Sequence, residues 1–300
     1  MEIDWLVDAA HRDLLDLVPI LTSVITLKQA TPAGWMEARA VLKARQYAAA
    51  LDFQGLIKSA ALTWLSGARR RIGFERSALR EPLAALFYSE RVAVDDSRHV
   101  VEKNLHLAAA VGAESTELEF PLASTSSAAL ELVRAQGLDA FVLLNCGAAW
   151  PNKRWPAERF GQIAAWLHAT HGLRSVVLWG PGEEPLAKQV VRASSGAATL
   201  APPTSLRDLV ALARAARLMV SGDTGPTHIA SAVGTPIVAL FGPTSPERNG
   251  PWVAGDVAIS RYQSCDCHYE RACRRDSARW CVGTISEQDV QAAIQKRLSL

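Results

Sequence analysis

The sequence reads as an α/β protein made of two Rossmann-like halves, each a parallel sheet flanked by helices. Three observations predict this. Short apolar runs of strand length alternate with segments of helix length along the chain, the pattern of βα units. A glycine-rich stretch, Val220-Ser-Gly-Asp-Thr-Gly-Pro-Thr-His228, joins one such run to a helix, as at the carboxyl edge of a parallel sheet. At 300 residues the chain exceeds the usual size of a single core, so about two domains are expected.

Taken in order, Ile3–Val7 reads as strand, Ala9–Leu17 as helix and Val24–Leu27 as strand. Trp35–Arg45 is helical, Tyr47–Phe53 extended, and Gly55–Gly67 a helix carrying Lys58. Arg69-Arg70-Arg71 leads into the short strand Ile72–Phe74 and the segment Glu75–Pro82. His99–Val111 is an amphipathic helix, its Val100, Val101, Leu105, Leu107 and Ala108 spaced for one buried face. Thr125–Gln136 is a helix stopped at Gly137. A new run of βα units then begins, which places the domain boundary near residue 138: residues 1–138 form one half and 139–300 the other. Phe141–Leu144 is strand and empties into the turn Asn145–Pro156, with Pro156 and Glu158 suited to the next helix start. Ser175–Trp179 is strand, Glu184–Ser194 and Ser205–Ala216 are helices, and Leu218–Ser221 is strand. Thr227–Val233 is a small helix, Ile237–Phe241 a strand, and Ser286 caps the last helix with Asp289 placed for a capping box.

Composition narrows the function classes. With 32 Lys and Arg against 30 Asp and Glu, the charges nearly balance and nucleic acid is not the expected partner. No apolar run approaches the ~18 residues of a membrane span and no leader pattern opens the chain, so a cytosolic protein is expected unless it attaches to a surface. Of five cysteines, Cys146 sits in an apolar stretch and reads as inert core. Cys265, Cys267, Cys273 and Cys281 form C-x-C-x5-C-x7-C around His268. A zinc site normally uses two well-separated pairs, and C-x-C is not its usual bite, so reduced packing cysteines or a redox-labile loop are favoured over metal.

The chemistry lies in successive strand-to-helix turns of the second half. These carry Lys153, then Glu183, then Asp223, Thr224, Gly225 and His228, and strand ends of one parallel sheet share an edge where such groups converge. Lys153 offers a positive charge, the helix after Gly225 offers N–H donors, and Glu183 is an acceptor for ribose hydroxyls, an inventory that suits a nucleotide diphosphate. The plainer reading is a capped turn beside a solvated lysine, an exposed glutamate and a structural histidine. No G-x-G-x-x-G, P-loop or G-x-S-x-G pattern is present, which removes support for hydride transfer, ATP hydrolysis and serine hydrolysis. Two Rossmann-like halves without those signatures suggest group transfer from a nucleotide-activated donor to an acceptor held by the other half.

Asp223-Thr-Gly-Pro-Thr-His228, Leu240-Phe-Gly-Pro-Thr244 and Lys153-Arg-Trp-Pro156 resemble the heptosyltransferases that build the lipopolysaccharide inner core. Asp52-Phe-Gln-Gly-Leu-Ile-Lys-Ser59 and Arg76-Ser-Ala-Leu-Arg-Glu-Pro-Leu83, with Phe87-Tyr88, resemble the heptosyltransferase I branch of that family. The resemblance covers nearly the whole chain. It implies a GT-B fold, two Rossmann-like domains facing across a cleft, with ADP-L-glycero-D-manno-heptose (ADP-heptose) as donor. It also implies the Kdo sugar of Kdo2-lipid A as acceptor, inversion by direct displacement, no metal, and peripheral attachment to the cytosolic face of the inner membrane. By the same resemblance Lys153 neutralises the diphosphate leaving group and Asp223, Thr224, Gly225 and His228 hold phosphates and heptose. Asp223 suits a sugar hydroxyl better than a phosphate, since like charges repel. Glu183 meets the ribose and Thr204 lies near the adenine, whereas Lys58, Arg76 and Arg80, with Arg69–Arg71 nearby, face an anionic acceptor. Two departures stand out. Ala148 and Ala149 replace family threonines before the lysine, and Glu2–Val7 matches the family's second strand. The family's first βα unit, a central strand with the Gly-Asp turn whose Asp is the general base, is thus expected upstream of Met1, so that the N-terminal Rossmann-like half is expected to be incomplete.

Overall fold

The computed structural model describes residues 2–27, 31–113, 118–273 and 280–299. The chain divides into two compact units, Met1–Glu119 and Phe120–Leu300.

In the first unit the order is β1 (Asp4–Asp8), α1 (Arg12–Leu15), β2 (Ser23–Leu27), α2 (Pro32–Ala44), β3 (Ala49–Leu51), α3 (Ile57–Leu65), β4 (Arg70–Phe74), β5 (Glu90–Val92) and α4 (Val100–Ala109). All strand pairs are parallel, as the βα alternation requires. They form two sheets, β1 with β2 and β3-β4-β5. Side chains connect the two: Trp5 stacks on Phe53 with ring centroids 5.9 Å apart, and Tyr47 donates to Asp4 at 2.6 Å. The expected helix at Ala9–Leu17 is a 3₁₀ turn followed by the single turn α1.

The Asp52-Phe-Gln-Gly motif closes the β3–α3 turn. The buried Asp52 carboxylate accepts from the N–H groups of Gln54 and Gly55 at 2.9 and 3.2 Å, from Ser59 at 2.8 Å and from Tyr88 at 2.7 Å. Gly55 sits at φ +67, where a side chain is strained. Ile72, Phe74, Leu79, Tyr88 and Leu107 pack the core beside this knot.

The second unit runs α5 (Ala128–Ala135), β6 (Phe141–Asn145), α6 (Ala157–His171), β7 (Arg174–Leu178), α7 (Glu184–Ala193), β8 (Ala198–Leu200), α8 (Leu206–Ala215), β9 (Leu218–Gly222), α9 (Gly225–Ala232), β10 (Ile237–Phe241), α10 (Pro246–Asn249), β11 (Val257–Ser260) and α11 (Glu287–Leu298). Its start at Phe120, rather than near 138, follows from the packing of α5. The Ser127 hydroxyl that caps α5 also donates to Asp208 of α8 at 2.7 Å, which ties that helix to the second core.

The sheet is wholly parallel, in the order β11-β10-β9-β6-β7-β8. Strands β6, β9 and β10 are buried at every residue, which is why they read as continuous apolar runs rather than alternating ones. Helices α6, α7 and α11 cover one face through Phe160, Ile163, Leu167, Val190, Val290 and Ile294. From β6 the chain moves outward to β7 and β8, then returns to the other side of β6 as β9. That reversal is a topological switch point, and ligands of open α/β sheets bind beyond the strand ends at such a place.

Candidate nucleotide-sugar site

The two turns that flank the switch point bring Lys153 and Asp223 together. Asn145 ends β6, and the chain descends through Trp150 and a 3₁₀ turn at Pro151–Lys153. Gly222 ends β9, and a Cβ there would lie 3.0 Å from the carbonyl oxygen of Lys153. Glycine at this position therefore allows the two turns to touch. Lys153 Nζ lies 2.6 Å from Asp223 Oδ2, and their side chains are 15% and 4% exposed. Thr244, from the turn after β10, donates to the same oxygen at 2.6 Å, and His228 Nε2 lies 3.4 Å from Oδ1. Burial pushes the Asp223 carboxyl upward, but His228, Lys153 and Thr244 outweigh it and hold the group well below the usual carboxylate range.

Polar groups beneath fix the turn. Asn145 Nδ2 donates to Ser221 and Thr224 hydroxyls, both at 2.9 Å, while the Thr227 hydroxyl donates to the Gly222 carbonyl at 2.5 Å and lies 2.8 Å from the Ser221 hydroxyl. This network holds Thr224 at the N-cap of α9, with Pro226 in its first turn. Apart from its chain neighbours and its own helix backbone, no atom of the described residues lies within 4 Å of the position a Gly225 Cβ would take. The start of α9 thus faces open space, with backbone N–H groups and a helix dipole that favour an anion. Lys153 is further held over the Trp150 ring, 4.6 Å from its centroid.

Lys153, Asp223, Thr224, Gly225 and His228 thus form one cluster, His228 at its exposed rim. Glu183 occupies the neighbouring turn after β7. Its carboxylate accepts from the Gly180 N–H at 3.0 Å and lies 3.8 Å from Arg154. A Cβ at Gly147 would meet that carboxylate at 2.0 Å, so Glu183 sits directly over the start of the β6 turn. Thr204 lies further along, half-buried in the loop between β8 and α8.

Sequence reasoning left Thr244, Asn145, Trp150 and Ser221 out of the site. Thr244 stood within the quoted Leu240–Thr244 motif and Asn145 at the mouth of its turn, but nothing in the spacing showed that either contacts Asp223 or Thr224.

In the first unit Arg76 lines a shallow concavity with Glu75, Ser77, Leu79, Pro82 and Arg91. Arg80 is exposed and Lys58 lies 4.0 Å from Asp8, neither of them lining that concavity. The arginine run divides. Arg69 is exposed, while Arg70 forks onto Glu90 at 2.7 and 2.8 Å and Arg71 donates to the Phe87 carbonyl at 2.9 Å. Those two brace the β4–β5 edge instead of facing a ligand.

Cys265, Cys267 and Cys281 are buried together with Cys273 packed against them, and the Cys265 and Cys267 sulfurs are 3.4 Å apart. All are free thiols, and among the described residues no three His, Cys, Asp or Glu side chains are placed to hold a metal ion. Burial pushes the Cys267 thiol up to about 12, and Cys146, equally shut away, up to about 12. Burial thus favours the neutral thiol at these two positions.

Known proteins share this architecture. The structure of the E. coli heptosyltransferase WaaC with ADP superimposes with a TM-score of 0.73 at 25% identity, covering 99% of this chain and 90% of that one. Lipopolysaccharide heptosyltransferase 1 of Salmonella typhimurium is 31% identical over 222 residues, 73% of this chain and 69% of its own. The enzyme of the same name from Pseudomonas aeruginosa is 28% identical over 288 residues, 91% of this chain and 79% of its own. Fold and likeness together define a glycosyltransferase with the α/β architecture of the GT-B heptosyltransferases, as the sequence motifs implied. The chain belongs to glycosyltransferase family 9 (heptosyltransferase), whose family model matches residues 35–278.

Proposed function

We propose that this heptosyltransferase moves L-glycero-D-manno-heptose from ADP-heptose to the Kdo sugar of Kdo2-lipid A, with inversion and without a metal. The observation that carries the donor half of this reading is the Lys153–Asp223 pair at the β6/β9 switch point, next to the open start of α9. Departure of ADP leaves negative charge on the diphosphate. Lys153 and the α9 N–H groups are preorganised donors for that developing charge, the role a metal plays elsewhere. Asp223, once Lys153 turns to phosphate, accepts from a heptose hydroxyl. Glu183 and Thr204 extend the same edge towards ribose and adenine. The likeness to a structure with ADP supports the choice of nucleotide.

The acceptor half rests on Lys58, Arg76 and Arg80, all exposed on the first unit. Arginine forks suit the phosphates and carboxylates of a Kdo-bearing lipid headgroup. Among the described residues no helix is long and apolar enough to cross a membrane, so access to a lipid acceptor is proposed to be peripheral, on the cytosolic face of the inner membrane.

A transfer assay decides the reading. ADP-heptose is incubated with Kdo2-lipid A or, separately, with an already heptosylated core, and products are weighed by mass spectrometry. One added heptose on Kdo2-lipid A supports it. Transfer only to the heptosylated core replaces the acceptor by a later one of the same family. Binding of ADP-heptose with no transfer to either acceptor makes the chain a sugar-nucleotide binder instead.

A further inference from the structure

The cysteine-rich segment plays no part in the chemistry above, yet it is clamped against the β6 turn that carries Lys153 and the β10 turn that carries Thr244. Asn152, one residue before Lys153, donates from Nδ2 to the Glu270 carbonyl at 2.9 Å and lies 3.6 Å from the Cys267 sulfur. Tyr269 N–H donates to the Pro243 carbonyl at 2.9 Å, and the Ser245 N–H donates back to the Tyr269 hydroxyl at 3.4 Å. Tyr269 adopts φ +57, a left-handed conformation that a bulky residue rarely holds unless its surroundings impose it. Beneath, a Cβ on Gly242 would lie 3.0 Å from the Cys281 sulfur, so the thiol cluster packs directly under the β10 turn.

The clamp delivers one charged side chain to the site. The Arg271 guanidinium lies 5.9 Å from the centroid of Trp150, the same indole that has Lys153 Nζ at 4.6 Å. Two cations thus share one ring. Lys153 has Asp223 as counter-ion, whereas Arg271 is exposed and has no carboxylate partner among the described residues. Holding a second cation there leaves a positive excess, which is stabilised when an anion with more than one charge enters.

We propose that Arg271 is a second cation of the diphosphate site, that Trp150 is the platform between it and Lys153, and that the cysteine-packed segment is its mount. This rests on the donor-site reading given above. Lys153 supplies a compact charge and Arg271 a planar fork able to take two oxygens, a combination that favours a nucleoside diphosphate over a monophosphate.

The test is calorimetric titration of ADP, AMP and adenosine into the wild-type chain, Arg271→Ala, Arg271→Lys and Lys153→Met, with a melting curve for each. Loss of a charge-assisted hydrogen bond weakens ADP binding by about tenfold or more. The inference expects that loss in Arg271→Ala, part of it recovered in Arg271→Lys, adenosine binding unchanged, and an unaltered melting temperature because the side chain is exposed. If Arg271→Ala binds ADP like the wild type while Lys153→Met does not, the Arg271 role is wrong and the donor site stands. Equal losses for ADP and adenosine mean that Arg271 props the segment and touches no phosphate, which also overturns the inference. A wild-type chain that binds no ADP removes the donor-site reading and this inference with it.

Discussion

Lys153→Met separates the two jobs the structure gives this lysine. The plainer sequence reading is a solvated lysine, but its side chain is only 15% exposed and pairs at 2.6 Å with a carboxylate that is 4% exposed. Removing a hydrogen-bonded charge partner costs roughly 1.5–3 kcal/mol, and about 3–5 kcal/mol when the stranded charge is wholly buried. Thr244 and His228 still reach Asp223, so the lower figure applies, about 2 kcal/mol at neutral pH. For a unit of this size that is a drop in melting temperature of roughly 4–8 °C. The pH dependence has a definite sign. Asp223 is held below its unfolded value, so its contribution is complete above about pH 4 and fades as pH falls further. Wild type and variant should therefore differ most at neutral pH and converge in acid. Asp223→Asn in the same background should recover part of the loss, because the stranded charge is gone. Chemical denaturation between pH 3 and 8 measures all three. Equal stabilities at pH 7, or a gap that widens in acid, would refute the ion-pair argument.

Three further outcomes follow from single contacts. Thr244→Val removes a buried donor to Asp223 without changing side-chain shape and should cost about 1–3 kcal/mol in urea unfolding; a neutral change would mean that Thr244 is incidental to the site. Tyr88→Phe strips one donor from the buried Asp52 carboxylate and should destabilise by about 1–3 kcal/mol while leaving ADP affinity, read by calorimetry, unchanged. The exposed basic groups of the first unit should bind anionic vesicles at low salt and release them as salt approaches 1 M, where the screening length is about 3 Å. Flotation that ignores salt would remove the membrane-facing role of Lys58, Arg76 and Arg80.

The second unit was legible in the sequence because its strands are buried on both faces and its turns are written in glycine, proline and capping residues. β6, β9 and β10 appear as unbroken apolar runs, and Asp223–His228 announces a strand-to-helix turn. Three short strands, β5, β8 and β11, left no clear pattern, since three or four residues cannot display a period. In the first unit the alternation predicted parallel pairing, which holds, but not the division of its strands into two sheets, because local alternation does not encode which strands become neighbours. At the site, the residues on each turn were visible, but their mutual distances were not. Glu183 lies on the neighbouring turn rather than beside Lys153 and Asp223, its carboxylate accepting from Gly180 N–H and facing Arg154 across Gly147. Thr244 and Arg271 come from turns about 90 and 120 residues from Lys153, and only the sheet order brings such distant segments side by side.

The claim that the β6/β9 switch point holds the nucleotide is tested most directly by amide hydrogen exchange with and without saturating ADP. The account predicts slowed exchange in the turn 146–156 and at the start of α9, residues 223–229, with the strands beneath unchanged. Protection confined to the first unit, or absent from both turns while ADP is bound, would contradict it.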